Sequence, residues 1–391
     1  MVGHVSLLFT QIVQSRIVKN FFFQQMFSKA EIENIVEHLK PIPIEQWGSH
    51  EWLKQMIGIE KINVQAHVEA SSNKFESVVD CIKTHDKFEV LVHELIATDM
   101  CLNNMFSKFK SKLPQQAFAR VFVVERSLST LLNLLGFVVF KPESLSSEGL
   151  LPLIDFCAAK LAQLTKMDVG DIDPTKEQDP LLPKFQICFG ALSIIWCIAC
   201  ATPDPGFPIS VTKRLVNEDD LIPTLCELVI KQPWRTIRKG KVLKWGDNAL
   251  MELEKKDALR VCKPEAHAWT AIQQLLEPRC LELTNWNDSR RESLLHVEGM
   301  LSEVLIDQLP PLQSLKRALQ YLRVNIPPPP KFQAIIEQIP PMKEEFDRNW
   351  DWNSLSDKCF NKYFKTSPQQ AQAELQMISD YLSIFANLEG Q

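Results

Sequence analysis

Residues 219–233 read DDLIPTLCELVIKQP. Apolar side chains fall on more than one side of the helix this stretch predicts over 219–231, as expected of a helix surrounded by others in an armadillo-type repeat. Helical periodicity recurs outward from it in both directions. Upstream it covers about 117–139, 149–166, 184–201 and 210–217. Downstream it covers about 264–276, 288–308, 312–322, 331–348, 352–363 and 368–387. Near the N-terminus Ser28 with Glu31 forms a capping box ahead of Ile32, Ile35, Val36 and Leu39. Asn73 with Glu76, and Asp86 with Glu89, repeat that start signal. No strict repeat period exists. Helices with apolar faces on short connectors must nevertheless stack to hide them. The expected fold is all-α, an irregular armadillo- or HEAT-like helical stack, with an irregular bundle as the alternative.

Composition agrees with a chain built from helices. Only 12 glycines stand against 24 prolines in 391 residues, which disfavours a turn-rich β protein and implies abrupt helix ends. The net charge of -5 gives no reason to expect a polyanionic partner, so nucleic acid is not predicted. Ten cysteines are scattered, many on apolar faces such as those of Cys81, Cys101, Cys157 and Cys226. That distribution reads as buried reduced thiols of a cytosolic protein rather than a disulfide framework. Residues 185–201 carry no charge, yet they lie at the short end of the roughly 17–25 residues that span a bilayer, and the stretch reads as a buried central helix. No transmembrane segment is expected.

A search for chemistry finds little. Glycine-rich phosphate loops, the GxSxG elbow and HExxH are all absent. His93-Glu94 lacks a second histidine one turn on and reads as a polar-face pair on a helix. Cys197 and Cys200 form a CxxC inside an apolar helix with no second knuckle, and so read as core rather than zinc ligands. Glu344, Glu345 and Asp347 read as a solvated helix face. No catalytic residue, metal ligand or cofactor is assigned, and no enzymatic activity is expected.

Two stretches depart from helix. Residues 168–183 are acidic and interrupted by proline, and read as a surface loop without structure. Residues 232–253 read as an insertion loop, with room for a short hairpin. There Trp234, Arg235, Arg238, Lys239, Lys241, Lys244 and Trp245 interleave basic and aromatic side chains. Those are materials for an acidic peptide or a nucleic acid. Packing of the two tryptophans onto the stack is the simpler reading, and an acidic-peptide contact the functional one.

Residues 304–346, VLIDQLPPLQSLKRALQYLRVNIPPPPKFQAIIEQIPPMKEEF, hold two helices punctuated by Gln308-Leu309-Pro310 and Gln338-Ile339-Pro340, with four prolines at 327–330 between them. The order of these pieces resembles the zinc finger MYND domain-containing protein 10 family, whose members help assemble axonemal dyneins. Gly48-Ser49-His50-Glu51-Trp52, then 60–66 (EKINVQA) and 90–106 (VLVHELIATDMCLNNMF), resemble the family's N-terminal signature and next helix. Pro233-Trp234, Gly240-Lys241, Trp245, Lys263 and Trp269 follow the order of its central insertion. The likeness covers roughly residues 28–388. The divisions expected are an unmatched extension at 1–25, a stack over 28–322, a proline-rich spacer at 323–330 and a semi-independent helical element at 331–388.

The resemblance implies a cytoplasmic adaptor or co-chaperone-like factor for preassembly of outer and inner dynein arms of motile cilia. It implies dynein chains, heat-shock chaperones, an FK506-binding co-chaperone and a leucine-rich-repeat assembly factor as partners. It also implies residence at centriolar satellites or dynein-assembly particles. The family's C-terminal MYND zinc finger has no counterpart, so no zinc ligand is carried over; a finger encoded downstream of residue 391, beyond an incomplete gene model or a short isoform, is the expectation. A general helical-repeat adaptor unrelated to cilia is the competing class. A methyltransferase-linked or transcriptional role, suggested only by the MYND association, ranks last.

Overall fold

Local signals start most helices, and buried side chains decide which of them meet. The computed structural model describes residues 27–71, 77–173, 179–246, 249–325, 341–365 and 367–389, with side chains described as far as 379. The chain divides into two compact units, Met1–Val138 with Pro341–Gln391, and Val139–Pro340. The expected all-α class holds: stacked helices make up both, with one small sheet in the second.

The first unit opens with α1 (Lys29–Glu37), where the Glu31 amide donates to Ser28 Oγ at 3.1 Å. Ile32 and Val36 are its buried face. Ser49 Oγ accepts from the Trp52 amide at the start of α2 (His50–Ser71). Between α3 (Ser77–Thr84) and α4 (Phe88–Cys101), Asp86 has φ of 52°. It starts no helix: the Lys87 amide reaches back to the Ile82 carbonyl and the Asp86 amide to that of Lys83, a left-handed C-terminal cap on α3. Helix α4 runs on into a π-turn at Leu102–Phe106. Helix α5 (Phe118–Val138) packs on α2 and α4. Its seam with α2 is polar. Glu60 accepts from Thr130 Oγ1 and, at 3.0 Å, from Arg126, while Asn133 donates to Asn63 at 2.6 Å. One turn on, His67 meets the Phe137 ring edge-on at 4.9 Å, so the two helices run in the same direction.

The second unit begins with α6 (Ser147–Leu164), capped by Ser146, followed by α7 (Leu181–Ala201). Helix α7 is the uncharged stretch, and it packs between α6 and α9 (Lys263–Leu275). It and residues Gln115–Val138 are long and apolar enough to cross a membrane, and each buries just over half of its apolar window (56%) inside the fold. Helix α8 (Leu221–Lys231), the stretch that suggested the fold, contacts α6, α9 and α10 (Asp288–Glu298), with Leu221, Ile222, Leu225, Cys226 and Leu228 fully buried. Helix α11 (Leu312–Val324) closes the stack on α9 and α10. Between α8 and α9 lie β1 (Arg235–Arg238), β2 (Lys241–Gly246) and β3 (Ala249–Glu252), an antiparallel sheet in that order.

Two more expectations differ from the structure. The helix expected over 288–308 is two, because Ser302 caps a new one at Glu303–Gln308. Residues 168–183 are not a bare surface loop. Val169–Asp171 is a 3-10 turn beside β1, with Val169 and Ile172 buried. The 327–330 spacer, the Asn73–Glu76 cap and the Gln338-Ile339-Pro340 punctuation lie outside the described residues.

The chain then returns to the first unit through the short helix Pro341–Phe346, α12 (Trp352–Cys359) with its π-turn Phe360–Phe364, and α13 (Pro368–Glu389). The expected division between a 28–322 stack and a separate 331–388 element therefore differs from the observed one. The reason is an aromatic core shared across the sequence: Phe364 lies 4.9 Å from Phe109, 6.1 Å from Phe106 and 6.3 Å from Trp47. Beside it, buried Arg120 of α5 pairs with buried Glu374 of α13 and donates to the Gly48 carbonyl.

Candidate functional site

Lys239 and Gly240 turn the β1–β2 hairpin, with φ of 48° and 76°. Both lie in the left-handed region that a two-residue hairpin turn of the right twist requires. The register pairs Arg238 with Lys241 and Arg235 with Lys244. All seven basic and aromatic residues singled out in the sequence therefore come together in one sheet and its approach.

Their environments differ sharply. Trp234 is fully buried, and Trp245 packs on α7, 4.9 Å from Phe189 and 5.9 Å from Phe185. Arg238 donates to the carbonyls of Val169, Gly170 (2.7 Å) and Ile172, fastening the 3-10 turn along β1. Lys244 is buried too, its Nζ 2.8 Å from the Arg260 carbonyl and 2.9 Å from Glu265 Oε2. Glu265 also accepts from the Cys262 amide and so caps α9. Arg235 is half-buried and reaches Gln232 at 3.4 Å. Lys239 and Lys241 stand in solvent, Lys241 beside Glu252 at 2.6 Å. The site thus has a packed base of tryptophan, arginine and lysine and an exposed basic tip.

Other side-chain clusters escaped the sequence reading. His93-Glu94 is not a solvated pair. Both residues are buried, His93 Nδ1 is 3.1 Å from Glu94 and its Nε2 is 3.2 Å from Glu345, while Phe346 tilts against the ring at 5.2 Å. Glu345 accordingly leaves the solvated face assigned to it. Burial opposes the charged ring, but the hydrogen bonds and charges of Glu94 and Glu345 outweigh it and hold the His93 pKa above the usual imidazole range. In the CxxC, Cys197 is buried and pushed up to about 12 by desolvation, and exposed Cys200 is also raised, so neither is poised as a thiolate. Among the described residues no three His, Cys, Asp or Glu side chains converge as a metal site.

No protein-family profile matches the chain, and no solved structure does. The chain is similar to the zinc finger MYND domain-containing protein 10 homolog of Drosophila melanogaster, 27% identical over 340 residues that cover 83% of this chain and 74% of the relative. That likeness runs through both units.

Proposed function

We propose that this protein is a non-enzymatic, cytoplasmic adaptor, co-chaperone-like in role, for preassembly of outer and inner axonemal dynein arms. The observation that carries the reading is the likeness, at 27% identity over 83% of the chain, to the zinc finger MYND domain-containing protein 10 homolog. Stacked helices support it, because they present extended surfaces on which unfinished clients can rest. The partners that follow are dynein chains, heat-shock chaperones, an FK506-binding co-chaperone and a leucine-rich-repeat assembly factor, with centriolar satellites or dynein-assembly particles as the place of work. The test is removal of the gene from a ciliated cell. Doublet microtubules should lose outer and inner arms in electron micrographs; arms of normal density would refute the proposal.

A further inference from the structure

One face of the sheet carries chemistry that its packing leaves unused. Alternation along the ladder puts Arg235, Ile237, Val242, Lys244, Met251 and Leu253 on the side opposite Trp245. At one end this side is closed where Lys244 reaches Arg260 and Glu265. Along the two outer strands it stays open, with Ile237 of β1 62% and Met251 of β3, across from Lys244, 44% exposed. Leu259, 68% exposed, immediately precedes the carbonyl that holds Lys244. Gln308 donates to the carbonyls of Leu259 and Val304 together, which brings a fourth exposed apolar side chain to the same loop. Single exposed apolar residues are ordinary, but four on linked elements suggest a contact surface.

The rim is basic. Between residues 235 and 263, Lys239, Lys241, Lys255, Lys256, Arg260 and Lys263 stand exposed, against the exposed carboxylates of Glu252 and Glu254 among the described residues. Nucleic acid fits poorly, because both tryptophans lie in the core and leave no exposed aromatic platform on which bases stack. A second copy of the chain fits poorly as well, since two such rims would oppose each other. Resting on the adaptor reading above, we infer that this face docks an acidic segment of a partner protein with apolar residues set among its carboxylates.

The test uses the full chain and a short fluorescein-labelled peptide of alternating leucine and glutamate, with a leucine–lysine peptide as its control. The acidic peptide should bind and weaken as salt is raised. Ile237→Glu with Met251→Glu should weaken it about tenfold or more, and Lys239→Glu with Lys256→Glu likewise, at unchanged melting temperature because all four side chains are exposed. Equal binding of the lysine peptide, absence of binding, or indifference to both double variants would overturn the proposal. So would anionic vesicles binding where the acidic peptide does not, or a dimer in sedimentation that Ile237→Glu dissolves. Co-purification from ciliated cells separates this inference from the adaptor reading. Dynein chains recovered equally with wild type and the Ile237→Glu, Met251→Glu variant would sink the face alone. None recovered with wild type would sink the reading.

Discussion

Arg120 and Glu374 are among the most buried charges of the protein, each about 3% exposed, and each is held chiefly by the other. Removing one partner strands the other in a low-dielectric interior, at a cost of about 3–5 kcal/mol. Arg120→Met should lower stability by about that much in urea unfolding, and adding Glu374→Met should restore most of it. A single variant as stable as wild type would mean that solvent reaches the pair. Asp219 poses the opposite problem. It follows the π-turn Arg214–Glu218, and burial together with Asp155 pushes its pKa up from 3.8 to about 7. A carboxyl raised in the fold contributes stability that is full below 3.8 and is lost as pH climbs through about 7. Asp219→Asn should therefore flatten stability over that window. Partial exposure trims its advantage at higher pH to about 1–2 kcal/mol. Urea titrations repeated across pH would check it; an unchanged slope would count against the raised carboxyl.

Among elements, the short helix Pro341–Phe346 is joined to a titrating side chain through Glu345. His93 holds Glu345 with one ring nitrogen and Glu94 with the other, and Trp350 Nε1 donates to the Glu345 carbonyl. A raised imidazole pKa stabilises the folded state fully below 6.5, and that stabilisation disappears as pH rises through the elevated value. Amide exchange over 341–346 should quicken as pH climbs past that point, beyond the intrinsic pH effect, and Glu345→Gln should abolish the excess. Identical excess in the variant would assign the effect elsewhere. The same contact shows where the sequence stops being legible. Ser28 with Glu31 and the apolar sides of Leu221–Lys231 are local signals, read within a turn or two, and they recur in the structure. The glycine-bearing insertion at 232–253 is legible as non-helix, though its third strand is not. Glu345 lies 252 residues from His93, and no local period reports that distance. The polar seam Glu60, Asn63 and His67 looks like a solvated stripe until α5 supplies Thr130, Asn133 and Phe137. Partners remote in sequence turn apparent surface into core.

At the scale of the whole molecule, the first unit is discontinuous, and that has an asymmetric consequence. Residues 341–389 contribute Phe364, which sits 6.3 Å from Trp47, and Phe360, 5.4 Å from Phe109. They also bring Glu374 for Arg120, and Ser356, whose hydroxyl donates to the Met105 carbonyl at 3.3 Å. Without them, Trp47, Phe106 and Phe109 lose their cover and Arg120 its counter-charge. Deleting a single core phenylalanine side chain costs about 3–5 kcal/mol, a large share of the roughly 5–15 kcal/mol that holds a domain together. Within the second unit α8 is enclosed by α6, α9 and α10, all from residues 139–340. A chain cut after residue 340 should therefore lose amide protection throughout 27–138 while 139–325 keeps its own. Supplying 341–391 as a separate polypeptide during refolding should restore the first unit, because the missing contacts are side-chain packing and one ion pair rather than chain connectivity. Hydrogen exchange with mass spectrometry reads both halves in one experiment. Uniform protection in the truncated chain would show that the first unit stands without its C-terminal helices. Uniform loss would show that the second unit depends on the first.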